Sequence, residues 1–272
     1  MPKFGRRRRD PNAEMTLIEH LRELRNRLFQ VVIFLVIATF VGWFVYDYTF
    51  ALLKRPIDFA IAEAAINGRE IGLVLSGVAD AFTLQLKVSA TFALIVTAPV
   101  WLWHLWRFIT PGLKQRERRY GLIFMFTAIP LFFGGVFLAY SVLPLAMELL
   151  LGFTPQGVSN LLPVDRYLNF FLRTLIVFGL GFLSPVVIVM LSLANVVSGY
   201  TMVRWWRQIV MIVVVFGAVA TPTGDPLNMV LLAGPMLILV FGAIGIARLI
   251  DKRRGRTPEW SDSLSDDEAS PL

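Results

Sequence analysis

The 272-residue sequence contains no cysteine, which excludes a disulfide framework, a thiolate metal site and a thiol nucleophile. Its two histidines, His20 and His104, are too few and too far apart in the chain to define a metal site. Charge is scarce: Asp, Glu, Lys and Arg make up 17% of the residues, against roughly 25% in a soluble globular chain. No Walker A loop, His-Glu-x-x-His or Gly-x-Ser-x-Gly pattern occurs. No pair of carboxylates falls inside an apolar run, so neither an enzyme nor a cofactor is expected. A proton-coupled solute transporter also fits poorly, because it needs ionisable groups deep in its helices.

Apolar residues, by contrast, reach 56%, and the mean hydropathy is +0.66. They fall in runs too long for buried strands or ordinary core helices. The runs are Leu28–Tyr46, Ala81–Trp106, Tyr120–Leu143, Tyr167–Val197, Gln208–Thr221 and Leu227–Ala247. The expected fold is an all-α integral membrane protein with six transmembrane helices, both termini cytoplasmic, and the fifth and sixth helices short. Residues 1–27 form an N-terminal region with an amphipathic helix, 28–247 the membrane domain, and 248–272 a polar, disordered tail. Asp47–Asp80 and Leu145–Asp165 are expected as loops, the first with short amphipathic helices, and Pro99 as a kink in the second span. The fifth run has 14 residues between Arg207 and Pro222, about 21 Å of helix against a ~30 Å hydrocarbon core. Either Trp205 and Trp206 extend it, or it spans only in part and thins the bilayer.

The net charge is +7. Twenty of the 26 Lys and Arg residues lie in 1–27, 107–119, 198–207 and the tail, whereas the alternate loops hold four: Lys54, Arg55, Arg69 and Arg166. This asymmetry places those basic segments in the cytoplasm and accounts for the charge without nucleic acid. Arg6–Arg9 precede a polar helix instead of an apolar stretch with a cleavage site, so the start is not read as a cleavable signal. Met15 is an alternative start.

Two basic segments carry isolated acids. Leu17, Leu21, Leu24 and Leu28 recur at helical spacing, while Glu19 and Glu23 share another face and Glu23 stands four residues before Arg27. In 107–119, Glu117 is the one acid among five basic residues. The first segment reads His-Leu-x-Glu-Leu-Arg-x-Arg-Leu over 20–28. It is followed by Thr97-Ala-Pro-Val100, Trp106-Arg-Phe-Ile-Thr-Pro-Gly-Leu113 and Glu117-Arg-Arg119. Further along come Phe137-x-x-Tyr140, Pro144-Leu-Ala146, Tyr167-Leu-x-Phe170, Phe178-Gly179, Pro185-Val186, Thr221-Pro222, Asp225 and Pro235-Met236. In this order and over about 220 residues, the chain resembles the TatC family, the polytopic core subunit of the twin-arginine protein translocase.

The resemblance implies a signal-peptide receptor and scaffold in the bacterial plasma (inner) membrane. It implies export of folded proteins in an oligomeric complex with TatA- and TatB-like single-span partners. The lipid bilayer is its medium, and proton motive force is its energy source. It also implies that Glu23 and Glu117 accept the paired arginines of the signal. The chemistry agrees, because a carboxylate matches the planar donor fork of arginine better than the point charge of lysine. Arg25 is read as orienting Glu23, and Phe108 as packing beside the signal's apolar residues. Pro56 and Asp225 match outer-loop positions of the family, although Asp225 also reads as a turn residue capping the helix that begins at Pro226. Two departures stand out. Family glutamates in the fourth and sixth spans correspond here to Leu183 and Phe241, which leaves Gln85, Ser184 and Asn195 as substitutes for their contacts with partner helices.

Overall fold

A computed structural model of the chain describes residues 17–109, 120–155, 157–194, 196–220 and 226–255. The described residues form ten helices and two short strands. The helices are α1 (Leu17–Phe44), α2 (Tyr46–Ile66), α3 (Asp80–Val96), α4 (Ala98–Ile109), α5 (Tyr120–Gly152), α6 (Val164–Gly181), α7 (Ser184–Leu193), α8 (Gly199–Arg204), α9 (Trp206–Ala220) and α10 (Pro226–Arg253). The strands are β1 (Ile71–Val74) and β2 (Asn160–Pro163).

Four stretches among these residues are long and apolar enough to cross a bilayer: Ile18–Phe44, Phe124–Gly152, Val164–Leu193 and Met229–Arg253. A fifth forms if α3 and α4, bent by 57° at their junction, count as one span. The short apolar α9 adds a further candidate. Its 15 residues make about 22 Å of helix, well short of a ~30 Å core. Trp206 belongs to α9, but Trp205 caps the C-terminus of α8. The flanking tryptophans therefore add a single residue, and the helix stays short.

The sixth helix is not short. α10 runs for 28 residues and carries Arg248–Arg253, placed by the sequence reading in the tail. The cause lies at its C-terminal end. Asp251 is fully buried and accepts the Gly199 N–H at 2.5 Å, while the Arg254 guanidinium donates to the Leu193 carbonyl at 3.2 Å. These tertiary bonds carry the helix beyond its apolar run. Gly199 is required by the same contact, since a Cβ there would lie 2.5 Å from the backbone nitrogen of Arg248. Residues 256–272 lie outside the described residues.

The two stretches read as loops, 47–80 and 145–165, are also more ordered than their composition suggests. Asp47–Asp80 holds one continuous 21-residue helix, α2, instead of short pieces. α5 passes through Pro130 and Pro144 to Gly152, well into the stretch read as a loop. β1 and β2 then pair in parallel, Ile71 opposite Asn160 and Val74 opposite Pro163, so the fold is helical with one small sheet. Arg69 Nε donates to the Thr154 carbonyl at 3.2 Å and Ser159 Oγ to Glu70 at 2.7 Å, which clips the loops together.

Prolines shape the long helices, and the carbonyls they strand find other donors. Pro56 has no N–H for the Leu52 carbonyl four residues earlier. The Tyr140 hydroxyl donates to that carbonyl at 3.0 Å, and the Tyr167 hydroxyl to the adjacent Leu53 carbonyl at 2.7 Å. Pro185 likewise leaves the Gly181 carbonyl, which accepts from Ser184 Oγ at 2.7 Å. At the bend before Pro99, the Trp101 indole N–H donates to the Leu94 carbonyl at 3.0 Å. Lys87 donates to Asp165 at 2.7 Å and joins α3 to α6.

The buried apolar residues form three clusters. One, centred on Ile57, Val88, Leu143 and Phe171, lies among α2, α3, α5 and α6. A second joins α4, α5 and α7 through Leu102, Trp106, Phe132 and Val186. The third lies among α8, α9 and α10 around Met202, Val213 and Val240. The α5–α6 crossing is unusually close. A Cβ on Gly135 would stand 2.5 Å from the Phe178 carbonyl oxygen, and one on Gly179 would stand 2.7 Å from the Phe132 ring.

Candidate functional site

The start of α1 meets the end of α4. The His20 ring stacks on Phe108 with centroids 4.4 Å apart and planes 17° from parallel, and Phe34 lies 6.5 Å from the His104 ring. The leucine stripe does not make this junction. Leu21, Leu24 and Leu28 are exposed at 63%, 39% and 59%, so they face away from the protein. Between the leucines, Glu23 and Arg27 are the half-buried residues of this first stretch. A polar seam thus runs along the protein side of α1.

The side chain holding Glu23 is Arg27, not Arg25. Arg27 Nε donates to Glu23 Oε1 at 3.0 Å, and Nη2 donates to the same oxygen. Arg25 is exposed and reaches Asn26 Oδ1 at 3.4 Å, which corrects the role expected of it. The reason is spacing: residues four apart on a helix face one another, and residues two apart do not. Among the described residues, Glu23 Oε2 and His104 Nδ1 are buried and have no hydrogen-bond partner.

The other expected positions divide. Phe108 is at the junction, half covered by His20. Pro56 is buried within α2, beside the α2–α3–α5–α6 cluster and not at this junction. Glu117, Asp225 and Asn195 lie outside the described residues. Leu183 packs beside the α4–α5–α7 cluster, the Ser184 hydroxyl is committed to the Gly181 carbonyl at the end of α6, and Phe241 is 41% exposed. His20, Arg27 and His104 are the site residues that sequence reasoning missed. Their signal was present, since the histidines are the only two in the chain and Arg27 stands at i+4 from Glu23. Sequence alone does not bring them together, because His104 lies 84 residues from His20 and helical spacing does not say which face of α1 turns to α4.

The fold and this junction define a polytopic helical membrane protein with a carboxylate and aromatic rings gathered where its first and second apolar stretches meet. Comparison with known proteins makes this specific. Residues 19–235 match the family model described as Sec-independent protein translocase protein (TatC). The chain is 42% identical over 255 residues to the TatC protein of Xylanimonas cellulosilytica, covering 94% of this chain and 90% of that one. It is 34% identical over 243 residues to the TatC protein of Aquifex aeolicus, covering 88% and 98%. A crystal structure of the twin arginine translocase receptor TatC superposes with a TM-score of 0.73 at 32% identity, covering 84% of this chain and 99% of the other. The chain belongs to the TatC family of Sec-independent protein translocase subunits.

Proposed function

We propose that this chain is the signal-peptide receptor and scaffold of a twin-arginine translocase, and that the α1–α4 junction takes the paired arginines. The observation that carries the reading is the state of Glu23. Its carboxylate is held on a helix, one oxygen is buried without a donor among the described residues, and Phe108 stacks on His20, three residues before Glu23 in the chain. Glu117 follows in the segment after α4 and is the second acid of the reading. The membrane arrangement that suits it has six crossings, with both termini, the junction and the 107–119 segment in the cytoplasm of a bacterial cell. Twenty of 26 basic residues in the corresponding segments support that orientation. TatA- and TatB-like single-span helices are its partners and proton motive force its drive. The exposed apolar flank of α9, with Met211, Ile212, Val215 and Val219, is available to such a helix.

The test is a titration of the purified protein with a synthetic twin-arginine signal peptide and a twin-lysine control. Arginine-selective binding that falls about tenfold or more in Glu23→Gln and in Glu117→Gln supports the reading, since a charge-assisted hydrogen bond contributes about 1.5–3 kcal/mol. Equal binding of the two peptides by well-folded protein refutes it.

A further inference from the structure

The Glu23–Arg27 pair is asymmetric. A guanidinium that binds a carboxylate fork to fork uses both oxygens. Here Nε and Nη2 of Arg27 converge on Oε1 alone, and Oε2 is left buried without a donor. Both side chains are largely covered, Arg27 at 14% exposure and Glu23 at 22%, so this is not a loose surface pair. A buried acceptor without a donor is a cost that any arriving N–H relieves. The pair also carries no net charge, so it does not attract cations indiscriminately.

Resting on the receptor reading above, we propose that Arg27 is a positioning residue for arginine recognition. It pins Glu23 through Oε1 and reserves Oε2 for the signal's guanidinium, which binds beside Arg27 instead of displacing it. Recognition then depends on donor geometry and ease of desolvation more than on charge. A guanidinium is planar, weakly hydrated and rich in donors, and it can sit next to another guanidinium. An ammonium is a strongly hydrated point charge and gains little beside Arg27. Arg27 thereby sets the preference for arginine over lysine, although it does not itself bind the signal's charge.

The experiment measures the affinity ratio for twin-arginine over twin-lysine peptide, using the full chain in detergent micelles at two salt concentrations. Arg27→Ala releases the carboxylate and uncovers its charge. The ratio should fall about tenfold toward one, and binding should become more sensitive to salt. Arg27→Gln keeps an N–H donor for Oε1, so it should restore part of the twin-arginine affinity lost in Arg27→Ala. It also serves as the folded variant if the alanine protein is unstable. Tighter twin-arginine binding in both variants with the ratio intact would show that Arg27 competes for Glu23, and would overturn the proposal. Unchanged affinity and ratio would reduce Arg27 to a helix-surface partner and overturn it equally. Failure of the receptor reading is distinguishable, because it appears in the wild-type protein as a ratio of one before any Arg27 variant is made.

Discussion

The Tyr140 hydroxyl donates at 3.0 Å to the Leu52 carbonyl, the acceptor that Pro56 leaves without its helical partner. A tyrosine on α5 thus completes the backbone of α2 from 88 residues away. From α6, the Tyr167 hydroxyl donates to the neighbouring Leu53 carbonyl. Pro56 and the two tyrosines form one unit, in which side chains from neighbouring helices donate to the carbonyls beside the proline.

That unit makes a coupled prediction. Tyr140→Phe should destabilise the protein by about 1 kcal/mol, the usual net value of one hydrogen bond. In a Pro56→Ala background the same substitution should cost less, because the alanine backbone supplies the missing N–H. Detergent-solubilised thermal unfolding of the four proteins in a double-mutant cycle measures the coupling. Strict additivity would separate Tyr140 from Pro56.

Gly135 and Gly134 should respond in opposite ways. A Cβ at Gly135 meets the Phe178 carbonyl at 2.5 Å, and backbone cannot give way as a side-chain tip can, whereas nothing lies within 4 Å of one at Gly134. Gly135→Ala should destabilise by about 1–3 kcal/mol through overpacking. Gly134→Ala should be neutral or stabilising by up to about 1 kcal/mol, the helix-propensity gain. The same unfolding assay checks both.

Asp251→Ala should loosen the end of α10 by removing the acceptor of the Gly199 N–H. The loss expected from a helix cap is about 0.5–2 kcal/mol. Hydrogen exchange checks the location: faster exchange should be confined to α8 and the last two turns of α10. Uniform acceleration across the bundle would contradict a local cap.

The Lys87–Asp165 pair should matter little by itself. Both side chains are more than a third exposed, and such pairs contribute about 0–1 kcal/mol. Lys87→Met should therefore shift the unfolding midpoint only slightly. A large loss would show that the pair is shielded by lipid.

The long helices and the family were legible in the sequence because lipid imposes a simple rule, that long runs must be apolar. The 57° bend before Pro99 was legible for a related reason, since proline acts locally. What escaped was set by partners far along the chain. The reach of α10 to Arg253 depends on Gly199 and Leu193, and the pairing of β1 depends on β2. The orientation of the leucine stripe also inverted the usual expectation. Spacing shows which residues share a face, but not whether that face turns to protein or to lipid, and here Glu23 and Arg27 take the protein side. Arg25 was misjudged by proximity in sequence, where helical phase favoured Arg27.

The parallel pairing of β1 with β2 imposes an order of events on the growing chain. Ile71 cannot find Asn160 until α5, 33 residues long, has been made. At roughly 5–20 residues per second of synthesis, the edge of β1 waits on the order of 5–20 s for its partner. The sheet closes only after that delay, so its closure reports that everything between its two strands, α5 included, is in place.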